Sequence, residues 1–177
     1  ELTLVGVVDA DLGLEGGDLR AGERTYQQVA QVAGRAGRGS KPGEVLIQTR
    51  HPEAPVIAAL AAGDRDAFYS AETEMRREAG APPFGRWASI IISSEDDGEA
   101  REAANRLGAF RPDVADCMIL GPAPAPMALL RGRYRYRFLI NARRSVQLQH
   151  VIRRWLTQVD HPAGVRVAVD IDPYSFV

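Results

Sequence analysis

Gly80-Ala81-Pro82-Pro83-Phe84-Gly85 divides this chain and decides how its fold is read. Consecutive prolines exclude helix, and a residue ahead of proline is pushed toward extended geometry. The pattern after this break therefore stands apart from the pattern before it. Residues 87–93 read as a strand, and residues 98–110 as a helix with Ala103, Ala104, Leu107 and Phe110 on its apolar side. Residues 117–120 read as a short strand closed by Gly121-Pro122, with Pro124-Ala125-Pro126 stiffening the next loop. Residues 133–140 read as a strand. Residues 145–159 read as a helix with Val151, Ile152, Trp155, Leu156 and Val159 inward. Residues 165–171 alternate valine and isoleucine with polar or small residues, as a half-exposed strand does. The order β-α-β-β-α-β predicts a ferredoxin-like α+β domain, with a four-stranded antiparallel sheet under two helices.

The pattern ahead of the break is different. Residues 3–8 are β-branched and apolar without alternation, which predicts a buried strand of parallel type. Asp9 and Asp11 follow at its carboxyl end, where open α/β sheets place their ligands. Residues 12–21 read as a loop. Residues 23–33 carry Tyr26, Val29, Ala30 and Ala33 at helical spacing, residues 38–43 form a turn, and residues 45–47 make a second strand. Strand, helix, strand is the crossover unit of a parallel sheet. Two helices follow, over 54–62 with Val56, Ile57 and Leu60, and over 64–79 with Phe68 and Met75 on the apolar side.

The chain has 177 residues, 45% of them hydrophobic, and a net charge of −1. This size suits one large or two small globular domains. Cys117 is the single cysteine, so neither an internal disulfide nor a cysteine zinc cluster can form, and a reducing cytoplasm is the default expectation. No apolar run reaches bilayer length, and no basic-then-apolar leader opens the chain. The chain starts at Glu1 directly into a strand pattern, which implies a piece of something longer.

Gln31-Val32-Ala33-Gly34-Arg35-Ala36-Gly37-Arg38 carries the sharpest chemical signal. Two arginines three apart, hinged by glycines, can bring planar donor forks onto a polyphosphate. A capped helix end accounts for one glycine and one arginine, but not for the spaced pair with Gln31 a turn upstream. The full run resembles motif VI of superfamily 2 helicases, whose arginines reach the γ-phosphate across a cleft. No Gly-x-x-x-x-Gly-Lys-[Ser/Thr] loop is present, so a motor carrying this motif must hold that loop elsewhere. Asp9 and Asp11 could orient the arginines or line the cleft, or simply end a strand and cap a turn. Two carboxylates alone make an incomplete metal site, and no metal is expected here.

The near-neutral whole hides a polarised segment. Residues 127–159 contain no acidic side chain and hold Arg131, Arg133, Arg135, Arg137, Arg143, Arg144, Arg153 and Arg154. Strand periodicity sets Arg133, Arg135 and Arg137 on one face and Tyr134, Tyr136, Phe138 and Ile140 on the other. This is either an anion-facing stripe for a nucleic-acid backbone or a solvated face over a buried aromatic one. His51, His150 and His161 read as ordinary surface or cap residues.

Taken together, the chain resembles the carboxyl-terminal part of the PriA (primosomal protein N′) family of replication-restart helicases. The resemblance rests on Val8-Asp9-Ala10-Asp11, Arg20, Glu23-Arg24, the motif at 31–38, Gly43-Glu44-Val45, Gln48-Thr49, Pro82-Pro83-Phe84, Leu120-Gly121-Pro122, Arg131-Gly132-Arg133-Tyr134-Arg135 and Asp170-Ile171-Asp172-Pro173. It implies that residues 1–63 end a second RecA-like helicase lobe. Residues 64–83 would be a connecting helix and Pro-Pro linker, and 84–177 a carboxyl-terminal domain.

It further implies an ATP-driven 3′-to-5′ DNA helicase, cytoplasmic and dependent on Mg²⁺, that acts at forks and single strands and reassembles the primosome. Arg35 and Arg38 would be arginine fingers oriented by Gln31, with Gly34, Gly37, Asp9 and Asp11 beside the nucleotide. Arg131, Arg133, Arg135, Arg143, Arg144 and Gln149 would meet DNA or the single-stranded-DNA-binding protein, among other primosome partners. Zinc would belong to an upstream region, and the chain alone would have no ATPase activity. Two rivals stand beside this reading. One is a piece of another superfamily 2 repair translocase. The other is a non-enzymatic single-stranded nucleic-acid-binding module, with Arg35 and Arg38 on phosphodiester.

Overall fold

A computed structural model describes residues 2–14, 20–37 and 42–173. The chain divides into two compact units, Glu1–Met75 and Arg76–Val177. The described residues form a mixed α/β chain with one parallel and one antiparallel sheet.

In the first unit, β1 (Leu4–Val7) and β2 (Glu44–Ile47) pair in parallel, Leu4 opposite Glu44 and Val7 opposite Ile47. Helix α1 (Ala21–Ala33) makes the crossover between them. Pro55 opens α2 (Pro55–Ala62) at a position where its missing N–H costs nothing, and Gly63 closes it in the left-handed region at φ +66°. The core is small: Ala10, Val56, Ile57, Ala59 and Phe68, with Val7, Tyr26, Ile47 and Leu60 against them. Phe68 belongs to α3 (Arg65–Glu78) and stacks on Tyr26 with centroids 4.4 Å apart and planes 5° from parallel.

Two expectations fail here. β1 is not buried throughout, because a two-stranded ribbon presents one face to this core and leaves the other bare. Val5 is buried, whereas Leu4 and Leu46 are exposed. Met75 lies two turns on from Phe68 on the same side of α3, but it is exposed rather than buried beside it. The loop expected over 12–21 and the turn over 38–43 fall partly outside the described residues, and Arg38 falls wholly outside them.

At the break, α3 ends in a Schellman arrangement. Gly80 takes φ +58°, its N–H donates to Arg77 O at 3.2 Å, and the Ala81 N–H donates to Arg76 O at 2.8 Å. Arg77 then lies over the Phe84 ring, 4.8 Å from its centroid.

The second unit runs β3 (Gly85–Ser94), α4 (Asp97–Ala109), β4 (Cys117–Leu130), β5 (Arg133–Arg143), α5 (Leu148–Leu156) and β6 (Arg166–Ile171). Its sheet has the order β4-β5-β3-β6, and every neighbouring pair is antiparallel. Asp96 caps α4 by accepting the Glu99 N–H at 2.7 Å. One face of the sheet supplies Ala88, Ile90, Ile92, Phe138, Ile140 and Ala142. The helices cover them with Ala103, Ala104, Leu107, Leu148, Ile152 and Trp155. Trp155 meets Phe138 edge-on at 5.1 Å, and its buried Nε1–H donates to Leu107 O at 2.9 Å.

Three element boundaries differ from expectation. Gly121-Pro122 does not close β4. The strand continues to Leu130 as the outer strand of the sheet, where missing N–H groups are tolerated, and its register shifts on both sides of Ala123-Pro124. α5 is shorter than residues 145–159 because its first turn waits until Leu148, a fully buried anchor. Phe110 caps α4 rather than packing under it and is exposed.

Candidate nucleic-acid interface

The spaced-arginine motif lies at the carboxyl end of α1. Gly34 is the helix cap, and the Arg35 N–H donates back to Val32 O at 3.1 Å. Gly37 turns into the left-handed region at φ +70° and donates its N–H to Leu2 O at 2.9 Å, which fastens the bend to the start of β1. A Cβ on Gly37 would lie 2.6 Å from Gly43 N, and one on Gly43 would lie 2.4 Å from Gly37 N. The glycines thus let two backbone segments of this unit touch. Arg35 and Gln31 are exposed, and the Arg35 guanidinium has no ion-pair partner among the described residues.

Asp9 and Asp11 do not join that cluster. They follow the carboxyl end of β1, whereas Gly37 is tied to its amino end. The strand between, at roughly 3.3 Å per residue, keeps the two sites apart. Both aspartates are engaged locally. Asp9 Oδ1 accepts the N–H groups of Asp11 at 3.0 Å and Leu12 at 3.3 Å. Asp11 is buried and accepts from the Thr49 hydroxyl and from the Arg50 N–H at 2.7 Å. The Thr49 hydroxyl, then the Arg50 amide, hold its carboxyl below the ordinary range against the opposing effect of burial. Asp11 therefore staples the loop after β1 to the loop after β2.

In the second unit the basic strand divides by role. Arg133 is largely buried. Its Nη2 donates to the carbonyls of Ser93 at 2.9 Å and Gly164 at 2.6 Å, and its Nη1 lies 3.3 Å from Glu95. Strand periodicity groups it with Arg135 and Arg137 on a face read as either anion-facing or solvated, but it bridges β3 and the loop ahead of β6. Arg135 and Arg137 share the sheet face that carries no helix of this unit. Burial and then the Arg135 charge push the Arg137 guanidinium below its ordinary value. Arg135 Nη1 also donates to Met127 O at 3.3 Å.

Arg131 occupies the turn between β4 and β5 with φ +51°, followed by Gly132 at φ +74°. Positive φ at both positions is what a two-residue hairpin turn demands. This points the Arg131 side chain away from the core, beside exposed Leu129, Leu130 and Tyr134. Tyr134 keeps the periodicity of the buried aromatics but is exposed. Its alternation offered no sign of this exposure. Arg143 is exposed, with Asp116 3.3 Å away, and Arg144 and Gln149 are exposed. Tyr136 is tied down, donating its hydroxyl to Asp97 at 2.9 Å and accepting from Arg101 at 3.0 Å.

His150 is exposed, and His51 lies 3.6 Å from Glu53 in an exposed turn. Among the described residues, no group of three or more His, Cys, Asp or Glu is placed to hold a metal. No described helix is long and apolar enough to cross a membrane.

A two-unit α/β chain with a basic antiparallel sheet face has several close relatives. The family model of the primosomal protein N C-terminal domain matches residues 77–174. Replication restart protein PriA of Rickettsia conorii is 44% identical over 175 residues, covering 99% of this chain and 27% of that protein. The protein of the same name from Treponema pallidum is 40% identical over 178 residues, and that from Bacillus subtilis 36% over 181 residues. These alignments cover 98% and 99% of this chain, and 27% and 22% of those proteins. The chain belongs to the PriA family, and it spans about a quarter of the length of the curated relatives it matches.

Proposed function

We propose that this chain acts in replication restart as a non-enzymatic binding part of a longer protein, and that its second unit holds single-stranded nucleic acid. The observation that carries this reading is the placement of Arg135 and Arg137 side by side on the sheet face that carries no helix of this unit, with Arg131 at the adjoining hairpin tip. Cationic side chains follow a phosphate backbone, and exposed aromatic or apolar groups give bases a surface to stack on. Arg143, Arg144 and Gln149 extend the basic surface toward α5 and suit DNA or an acidic protein partner. Strand order and helix placement support the ferredoxin-like reading of residues 84–177, behind a connecting segment at 64–83.

Titration of the 177-residue chain with a fluorescent single-stranded oligonucleotide tests the proposal. Binding is expected to fall as salt rises. Arg135→Gln together with Arg137→Gln should weaken it at least tenfold and flatten the salt slope by about two phosphate contacts. Unchanged affinity in the double variant would overturn the reading.

A second reading rests on one observation, the exposed Arg35 after α1, which has no ion-pair partner among the described residues. In it, residues 1–63 end the second RecA-like lobe of a cytoplasmic ATP-dependent DNA helicase that works with Mg²⁺. Arg35 and Arg38, with Gln31 behind them, would stabilise charge on the γ-phosphoryl of ATP held by another lobe. Gly34 and Gly37 would shape the bend, and this chain alone would not hydrolyse ATP. In the whole polypeptide, Arg35→Ala should lower turnover about 10³-fold or more while ATP still binds. Normal turnover would exclude the finger role.

A further inference from the structure

Helix α5 and the loop that follows α4 form the two walls of a groove of about 380 Å³ in the second unit. The loop wall is held at both ends. The Phe110 and Arg111 N–H groups donate back to Leu107 O at 3.1 Å and Gly108 O at 3.2 Å, and the Arg111 guanidinium donates to Gly121 O. The Cys117 N–H donates to Val114 O at 3.1 Å. The helix wall stands on Trp155, whose buried ring is fixed by Phe138 and by the Leu107 carbonyl. The groove is therefore preformed, and its volume is that of a small-ligand site.

Its lining mixes an apolar surface with both signs of charge. Phe110, 54% exposed, and Pro112 belong to the loop wall, and Val151 to the helix wall. His150 and Arg154 lie one helical turn apart on the same side of α5, and Asp113 lines the opposite wall. All three are exposed, and neither Asp113 nor Arg154 has an ion-pair partner among the described residues. Opposite charges thus share the groove without closing it.

That combination selects among ligands. An acidic peptide would suit Arg154 but would set its carboxylates against Asp113. A nucleotide suits every wall. A base stacks on an aromatic ring such as Phe110, and a guanidinium takes a phosphate. An ionised carboxylate only accepts hydrogen bonds, so Asp113 favours a base edge with neighbouring donors. Guanine presents its ring N–H and its amino group side by side. Adenine and cytosine each set one amino group beside an acceptor nitrogen.

We propose that this groove binds a guanine nucleotide, with the base on Phe110 and Asp113 and the phosphate on Arg154 and His150. The groove lies on the helix side of the sheet, and Arg135 and Arg137 lie on the other, so this site stands apart from the nucleic-acid surface proposed above.

Nuclear magnetic resonance titration of the 177-residue chain with dGMP should shift the amides of residues 110–114 and 150–158 saturably by roughly 1 mM, with dAMP at least about fivefold weaker. Arg154→Gln should weaken dGMP about tenfold and leave deoxyguanosine unchanged, because only the phosphate contact is lost. Asp113→Asn should bring dGMP and dAMP to about equal affinity, and Phe110→Ala should weaken both. These side chains are exposed, so thermal unfolding should stay in place. The Arg135→Gln, Arg137→Gln double variant should bind dGMP as the parent chain does, which separates this site from the sheet face. The same shifts from an oligothymidylate carrying one dG would identify a strand-borne base, and from dGMP alone a free nucleotide. No saturable shift in these residues, or equal affinity of the parent chain for dGMP and dAMP, would overturn the proposal. So would shifts from hexaglutamate and from neither nucleotide, which would assign the groove to an acidic protein.

Discussion

The two units bury their sheets in opposite ways. In the second, fourteen buried side chains join the sheet to two helices, and the Trp155 Nε1–H reaches across that core to Leu107. In the first, a small cluster of Ala10, Val56, Ile57, Ala59 and Phe68 packs against one face of a two-stranded ribbon, and exposed Leu4 and Leu46 lie on the other. A parallel pair is at its most stable with both faces covered, whereas an antiparallel sheet can leave one face in water. Within its own unit, the helix-free face of the first carries Leu4 and Leu46 beside Glu44, and that of the second carries arginine. The difference separates a surface suited to packing from one suited to a charged ligand.

The largest test of this contrast is Trp155→Ala. Losing a buried indole, its edge contact with Phe138 and its hydrogen bond should cost the second unit about 3–5 kcal/mol. In denaturant titration followed by hydrogen exchange, amides of β3 and β5 should lose protection while those around α2 keep theirs. Equal loss in both units would show a single cooperative core and erase the comparison.

A smaller effect sharpens it from the other side. The Asp11 carboxyl is held below its ordinary value of 3.8, chiefly by the Thr49 hydroxyl and then the Arg50 amide. A depressed folded-state value stabilises above the unfolded value and is lost as the group is protonated. Stability of the first unit should therefore fall as pH drops from about 4 through the lower folded value. Asp11→Asn should be less stable at neutral pH and flat across that window. A variant that keeps the acid-dependent loss would assign it to another carboxylate.

Much of the second unit was legible in its residues. Alternation in β6 and the apolar spacing of Ala103, Ala104 and Leu107 in α4 mark their elements directly. The prolines of β4 misled, because proline ends an inner strand but is tolerated at an edge, and edge position depends on strand order. Ser145 suggested a helix start, yet burial of Leu148 sets it. In the candidate site, alternation grouped Arg133 with Arg135 and Arg137. Only the fold brings the Ser93 and Gly164 carbonyls, 40 and 31 residues away in sequence, onto the Arg133 guanidinium. Asp9 and Asp11 precede the motif by twenty or more residues and follow β1, whereas the motif closes α1, so the strand–helix–strand order itself sets them at opposite ends of the strand.

The basic sheet face is tested most directly by the salt dependence of single-stranded oligonucleotide binding to the intact chain and to the Arg135→Gln, Arg137→Gln double variant. The account predicts a steep negative slope for the former and a slope shallower by about two for the latter. Equal slopes for both would contradict it.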